Sequence, residues 1–277
     1  MYCCKPRNFF SAFWGSKSSN SLSTYGKRYP LILREDLTHN VRRYRFKLEN
    51  EEMALGLPVG KHIMVSSPNS QRAYTPTTND LHKGYFDLIV KTYFPAGDRP
   101  GGEISMYLEN LKVGEQVEIS GPFGELEYKG GGVFEIEEYG EPRRVEKHST
   151  IGMIAGGTGI TPMYQIAQWV AQHPDEDRLD MQLIFGNVSP NDVMMKGDLE
   201  ELQQKLKEGQ FQVQFTVDSG ADDKWPHHVG LISKDMLQSS LPSPEGNPLI
   251  LLCGPPAMNQ ACLEWLHELG HSNIFVY

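Results

Sequence analysis

Hydrophobic and polar positions follow two different periods along this chain. From residue 29 to about 120 the period is that of strands. Val41-Arg42-Arg43-Tyr44-Arg45-Phe46-Lys47-Leu48 alternates apolar and basic side chains, as a half-buried strand does. His62-Ile63-Met64-Val65 and Tyr85-Phe86-Asp87-Leu88-Ile89-Val90 are short β-rich runs bounded by Gly, Asn and Pro. Gln116-Val117-Glu118-Ile119 follows a Val113-Gly114-Glu115 turn. One helix interrupts, Ile104 to Leu111, with Ile104, Tyr107, Leu108 and Leu111 on one face. Short strands with a single helix predict a small antiparallel β-barrel.

The second half alternates strand and helix. Ile151-Gly152-Met153-Ile154-Ala155 suits a buried parallel strand, and Met163, Ile166, Ala167, Val170 and Ala171 then recur at helical spacing. Leu183-Ile184-Phe185, a helix around Leu199, Leu202 and Leu206, and the alternating Phe211–Val217 follow. Leu249–Leu252, a helix from Pro256 to His267 and a last strand at Ile274–Tyr277 complete the chain. This order predicts a doubly wound parallel sheet, whose ligands sit at the carboxyl ends of its strands. The expected division is a leader at 1–28, a barrel domain at 29–147 and an α/β domain at 148–277.

Composition narrows the function. The chain has 277 residues, and a net charge of −9 disfavours a nucleic-acid binder, which needs a basic face. No apolar run approaches the ~18–20 residues that span a bilayer. The charge is uneven. Residues 1–28 carry Lys5, Arg7, Lys17, Lys27 and Arg28 and no acid, together with six serines. That is the composition of an organellar transit segment, and equally of a disordered tail. Cys3 and Cys4 are sites where acylation could tether the chain to a membrane surface. Cys3, Cys4, Cys253 and Cys262 fit neither a disulfide framework nor a zinc or iron–sulfur site, so a reducing, intracellular compartment is expected. His227-His228 reads as a solvated turn, and no metal site is expected.

Three segments carry candidate chemistry. Gly156-Gly157-Thr158-Gly159-Ile160-Thr161-Pro162 joins a strand to a helix that is expected to start at Pro162 with Thr161 as its N-cap. Its backbone amides and the positive helix end could cradle a pyrophosphate, or the glycines could simply pack helix on strand. In Arg72-Ala73-Tyr74-Thr75-Pro76, a phosphate-pairing guanidinium, a flat ring and a hydroxyl donor lie within four residues. A surface strand with a packed tyrosine is the plainer reading. Leu252-Cys253-Gly254-Pro255-Pro256-Ala257-Met258 puts a soft thiol at the end of a buried strand, either as a site residue or as an ordinary core cysteine.

Together with Arg42–Phe46, Gly101-Gly102-Glu103-Ile104-Ser105 and Gly121-Pro122-Phe123-Gly124, these segments resemble the ferredoxin–NADP reductase superfamily, and within it the NADH–cytochrome b5 reductases, from about Tyr29 to Tyr277. The resemblance implies a flavin-binding barrel, a nicotinamide-binding α/β domain, and FAD in the cleft between them. It places Arg72 on the FAD pyrophosphate, Ala73 and Tyr74 against the flavin, and Thr75 near its N5. Gly102, Glu103, Ile104 and Ser105 fall at the FAD phosphates. Val90, Lys91 and Tyr93 lie on the strand beside both cofactors. Gly157, Thr158, Thr161 and Pro162 line their meeting point. Cys253, with Gly254, Pro255 and Met258, sits near the nicotinamide. Thr75, Lys91 and Cys253 are the implied catalytic group. Asp218 matches the carboxylate that accepts from the adenosine ribose 2′-OH and repels a 2′-phosphate, so NADH is expected over NADPH.

The implied activity is hydride transfer from NADH to FAD, then single-electron transfer to cytochrome b5 or another one-electron haem protein. The implied setting is a monomer peripherally associated with a mitochondrial or cytosolic membrane face. The chain departs from that pattern at Glu103, where the family usually has Lys, and in the acids Glu125, Glu127, Glu135, Glu137, Glu138 and Glu141. Arg143, Arg144 and Lys147 are expected to supply a compensating basic edge. A general NADH diaphorase or quinone reductase, and a catalytically silent nucleotide sensor, are the competing readings.

Overall fold

A computed structural model describes residues 21–277. The first half is built on β1 (Lys27–Asp36), β2 (Val41–Lys47), β3 (His62–Ser66), β4 (Gln71–Tyr74), β5 (Tyr85–Lys91), α1 (Glu103–Glu109) and β6 (Gln116–Phe123). Its six strands pair in the order β4-β3-β6-β1-β2-β5, all antiparallel. Beyond β4 the chain crosses to the far edge, where the Thr77 amide donates to the Asp87 carbonyl oxygen of β5 and closes the barrel. Tyr29, Tyr44, Phe46 and Phe86 fill the barrel with Ile104 and Leu108 of α1. The period-two pattern places one face of each strand there.

The barrel takes in the end of the basic leader. Lys27 and Arg28 belong to β1, and the Tyr29 hydroxyl donates to the Ser21 carbonyl oxygen at 2.7 Å. Next come β7 (Leu126–Gly130), β8 (Val133–Ile136) and β9 (Arg144–Lys147), a three-stranded antiparallel sheet outside the expected strand set. Its alternation of Leu126, Tyr128, Phe134 and Ile136 with glutamates is a strand pattern that the acidic composition obscured.

The second half comprises β10 (Thr150–Gly156), α2 (Ile160–Gln172), β11 (Asp180–Asn187), α3 (Lys196–Lys205), β12 (Phe211–Val217), β13 (His228–Val229), α4 (Lys234–Ser240), β14 (Leu249–Cys253), α5 (Pro256–Glu268) and β15 (Ile274–Val276). The strands run parallel in the order β13-β12-β11-β10-β14-β15. Alternate residues of β10 face opposite layers. Met153 packs with α2 and α3, while Ile154 packs with α4 and α5. The strand order reverses between β10 and β14, the position where open α/β sheets bind ligands.

The halves share a core and a set of polar contacts. Val41, Ile89, Leu126, Tyr128, Phe134 and Ile136 join the apolar cluster of the second half. On α2, Gln165, Gln168 and Gln172 form a polar stripe at helical spacing. Gln165 Oε1 accepts from the Gly60 amide at 2.6 Å, and Asn79 Nδ2 donates to both Gln168 Oε1 (3.0 Å) and Gln172 Oε1 (2.7 Å). Phe134, fully buried with its ring 4.7 Å from that of Tyr128, anchors the apolar side of the seam. Phe134→Ala is expected to cost about 3–5 kcal/mol in urea denaturation; a loss below about 1 kcal/mol would remove it as an anchor.

Candidate active site

A cavity of about 1210 Å³ lies along the seam, large enough for a dinucleotide with room for a second ring system. The barrel contributes Ala73, Tyr74 and Thr75 from the end of β4, and Lys91 and Tyr93 from the end of β5. The sheet contributes the glycine turn after β10, the Cys253–Met258 turn after β14, and Asp218 after β12. Segments as far apart in sequence as Ala73 and Met258 thus share one wall.

The glycine turn is fixed by close packing. Residues Gly157–Gly159 form a 3-10 turn and α2 begins at Ile160. The helix therefore starts two residues earlier than expected, and Thr161 does not cap it. Its hydroxyl donates to the Thr158 carbonyl oxygen at 3.1 Å, inside the first turn. Pro162 falls where a backbone amide would have no helical partner. A Cβ on Gly159 would overlap the Cys253 carbonyl oxygen, so only glycine lets the turns after β10 and β14 touch. Gly157 has φ +52 with open space where a Cβ would stand. That conformation favours glycine and leaves the Thr158 and Gly159 backbone at the cavity wall.

Burial favours the neutral forms of Tyr74, Cys253 and His62 in the wall. It pushes the Tyr74 hydroxyl up to about 12 and the Cys253 thiol up to about 11. It lowers His62, with Lys61 adding to the effect. Asp218, exposed at the end of β12, is raised by partial burial; its amide donates to the Asn187 carbonyl oxygen at 3.0 Å.

Six expected site residues stand outside the cavity wall. Arg72 is exposed on β4, two residues before Tyr74, with Nη1 donating to the Gln71 carbonyl oxygen. Val90 and Ile104 bury their side chains in the barrel core, so only their backbones can face a cofactor. Gly102, Glu103 and Ser105 lie at the start of α1, and Gly102 and Ser105 are tied to Tyr93. The Gly102 amide donates to the Tyr93 carbonyl oxygen at 2.8 Å, and Ser105 Oγ accepts from the Tyr93 amide at 3.2 Å while donating to the Gly102 carbonyl oxygen. The Ser105 hydroxyl hydrogen is therefore already used. His227 packs edge-on against Phe215 and Trp225, and His228 starts β13, so the pair serves structure.

The wall also holds residues that the sequence analysis missed. Asn187 is buried with Nδ2 unpartnered, and the Tyr277 hydroxyl is buried without a partner. Buried polar atoms of this kind call for a ligand. They sit with the glycine cradle and the Tyr74 ring in a space that fits a flavin and a nicotinamide dinucleotide. Leu231 and Val188 add exposed apolar surface beside Asp218. No sequence motif marks these positions, because their role depends on which strand ends meet.

Comparison with known proteins agrees with this geometry. Residues 28–128 match the oxidoreductase FAD-binding domain family, and residues 153–264 match the oxidoreductase NAD-binding domain family. The chain is 40% identical to NADH-cytochrome b5 reductase 3 of Mus musculus, over 95% of this chain and 90% of that protein. It is 42% identical to NADH-cytochrome b5 reductase 1 of Homo sapiens, over 87% of this chain and 81% of that one. Among solved structures, the cytochrome b5 reductase domain of Ulva prolifera nitrate reductase superposes with a TM-score of 0.85 at 32% identity, covering 94% of this chain and all of that one. With its barrel, its parallel sheet and a cavity at the switch point between them, this chain belongs to the NADH-cytochrome b5 reductase family of FAD- and NAD-binding oxidoreductases.

Proposed function

We propose that this protein takes a hydride from NADH onto FAD in the seam cavity and passes electrons singly to cytochrome b5. The observation that carries the reading is one continuous wall running from Tyr74-Thr75 through the glycine turn to Cys253. FAD, when bound, supplies the step between a two-electron donor and a one-electron acceptor. The chain's own residues bind and orient. Arg72 pairs with the FAD pyrophosphate and the amides at the start of α1 face its phosphates. Tyr74 offers its ring to the flavin, and the Thr75 hydroxyl donates to a ring nitrogen. The Thr158 and Gly159 amides hold the nicotinamide dinucleotide. Cys253 shapes the nicotinamide end as a neutral thiol, and Asp218 accepts from the adenosine ribose.

In this reading the barrel domain at 29–147 serves FAD and the domain at 148–277 serves NADH. The basic leader, whose last residues fold into the barrel, addresses or tethers a monomer to a mitochondrial or cytosolic membrane face. The first twenty lie outside the described residues, which hold no helix long and apolar enough to cross a membrane.

One observation favours a second acceptor class. Of the basic edge expected at Arg143, Arg144 and Lys147, the two arginines are already occupied. Arg143 Nη2 is 2.5 Å from Glu135, and Arg144 reaches Glu138 at 3.1 Å and Glu146 at 3.4 Å. These guanidiniums are neutralised within their own sheet, which leaves less free positive charge for an acidic haem protein. A quinone or another neutral acceptor escapes that conflict.

The deciding experiment is anaerobic addition of NADH to the yellow, FAD-loaded protein. The flavin absorbance is expected to bleach within the mixing time, and cytochrome b5 then to be reduced at a rate that falls as salt rises. An unbleached sample would leave a nucleotide sensor. Bleaching with faster quinone than cytochrome turnover would leave a diaphorase. Asp218→Thr should lower the NADH/NADPH ratio of kcat/KM by roughly tenfold or more; an unchanged ratio would show that Asp218 does not read the ribose. With its thiol near 11, Cys253 should react with iodoacetamide at pH 8 roughly 100-fold or more slowly than a free cysteine. Alkylation at the free rate would place it in solvent instead.

A further inference from the structure

Helix α2 reaches both sides of the cavity. Its first turn, with Thr161 and Pro162, lies in the wall and grows directly out of Gly157–Gly159. Its last turns grip the barrel segment that begins at Thr75. Asn79 Nδ2 donates to Gln168 Oε1 at 3.0 Å and to Gln172 Oε1 at 2.7 Å. Gln168 Nε2 donates to the Thr77 carbonyl oxygen at 3.3 Å. Gln168 and Gln172 stand four residues apart, so they meet Asn79 from one face of the helix.

The grip has one orientation. Asn79 Oδ1 accepts from the Leu81 amide at 3.1 Å within its own turn, which leaves Nδ2 for the helix. Both hydrogens of that amide nitrogen then have a glutamine oxygen to meet. The segment between Thr75 and Asn79 is stiff. Pro76 fixes its own φ, the Thr77 amide donates to the Asp87 carbonyl oxygen at 3.0 Å, and Thr78 Oγ1 accepts from the Asp87 amide at 3.0 Å. Asp87 is held in turn by Arg45, whose Nε and Nη2 donate to its carboxylate at 2.7 and 2.8 Å. Thr75 is buried at the cavity wall, two residues before Thr77. None of Asn79, Gln168 and Gln172 lines the cavity, so whatever they do there is done through Thr75 and α2.

We propose that Asn79 is a positioning residue. By holding Gln168 and Gln172 it fixes the direction in which α2 leaves the glycine turn, and so the separation of Thr75 on the flavin side from Thr158 and Thr161 on the nicotinamide side. From Thr161 to Gln172 the helix is a rod of about 16 Å. Freed at its far end, such a rod can pivot against the barrel, because its apolar packing is non-directional. The two-pronged amide contact admits one docking angle. Reacting atoms must approach to about 3–3.5 Å, and a shift of about 1 Å can cost on the order of 100-fold in rate. Only the kinetic consequence rests on the cavity reading given above.

The test uses the FAD-loaded full chain with Asn79→Ala, Gln172→Met, the two combined, and Gln172→Glu, which keeps an acceptor for Asn79. Both positions are half-buried, so the variants are expected to fold. Hydrogen exchange without NADH should rise at 76–81 and 168–173 in Asn79→Ala and Gln172→Met, with β10 and β14 protected as before. At saturating NADH, stopped-flow bleaching should slow roughly fivefold or more in both, while the NADH Kd changes less than about threefold. The long-wavelength charge-transfer absorbance of NAD+ on the reduced flavin, which reports ring contact, should weaken in the same two variants. Gln172→Glu should keep both the rate and that absorbance. The combined variant should be no slower than Asn79→Ala alone, because Asn79→Ala has already released Gln172. Unchanged exchange and rate in Asn79→Ala would overturn the proposal. So would strictly additive losses, a slower rate with the charge-transfer absorbance intact, or Gln172→Glu as slow as Gln172→Met. If NADH fails to bleach even the unmodified protein, the functional reading falls, while the exchange measurement still decides whether Asn79 holds α2.

Discussion

Two independently patterned halves have to be held in one relative position, because the cavity is made by both and by neither alone. A shared apolar core joins them, and polar contacts fix how they dock. Gln165 and Gln168 of α2 are buried, and burying an amide without a partner costs about 1–3 kcal/mol. Their partners, the Gly60 amide and the Asn79 side chain, belong to the barrel. The stripe is therefore satisfied in this docked arrangement, whereas a sliding apolar interface would accept many. Since α2 is also the helix that grows out of the glycine turn, fixing its side fixes that turn against Tyr74 and Thr75.

Within that frame the sheet's topology decides where ligand-facing atoms go. The chain adds strands on one side of β10, then returns to place β14 and β15 on the other. Ala155 of β10 lies level with Cys253 of β14, so both strands release their turns at the same height. The absence of a Cβ at Gly159 lets those turns touch, and Gly156 brings Met258 Sδ close in the same way. Burial then removes charge from the interior by raising Tyr74 and Cys253 and lowering His62. The charged side chains of the wall are Asp218, Glu125 and Lys91, the last paired with Asp192 at the seam.

The outer sheet of β7, β8 and β9 carries a different constraint. Its inward residues, Leu126, Tyr128, Phe134 and Ile136, belong to the core shared by the two halves. Its outward glutamates pair with Lys129, Arg143 and Arg144 on neighbouring positions. This element therefore reinforces the seam from within and presents a largely self-neutralised surface outside. An acceptor that approaches over it meets less attraction than the number of its basic residues suggests.

Local pattern alone determined much of this protein. The alternation in Val41–Leu48 and the helical spacing of Met163, Ile166 and Val170 require only neighbours a few residues away, and the barrel and the parallel sheet followed from them. The three motif segments were legible for the same reason, since a glycine turn or a β4-type strand end is a local conformational demand. The alternation in 126–136 was equally local, but its glutamates made it read as a charged stretch. Only the tertiary structure decided which of the candidate residues share a space. It placed Tyr74, Thr158 and Cys253 in one wall, turned Val90 and Ile104 into the barrel, and gave Gln165, Asp192, Asn187 and Tyr277 their roles. A glutamine on a helix or an aspartate in a turn has the same local energetics whatever lies opposite. The partner that gives it meaning is about a hundred residues away along the chain and is supplied by packing.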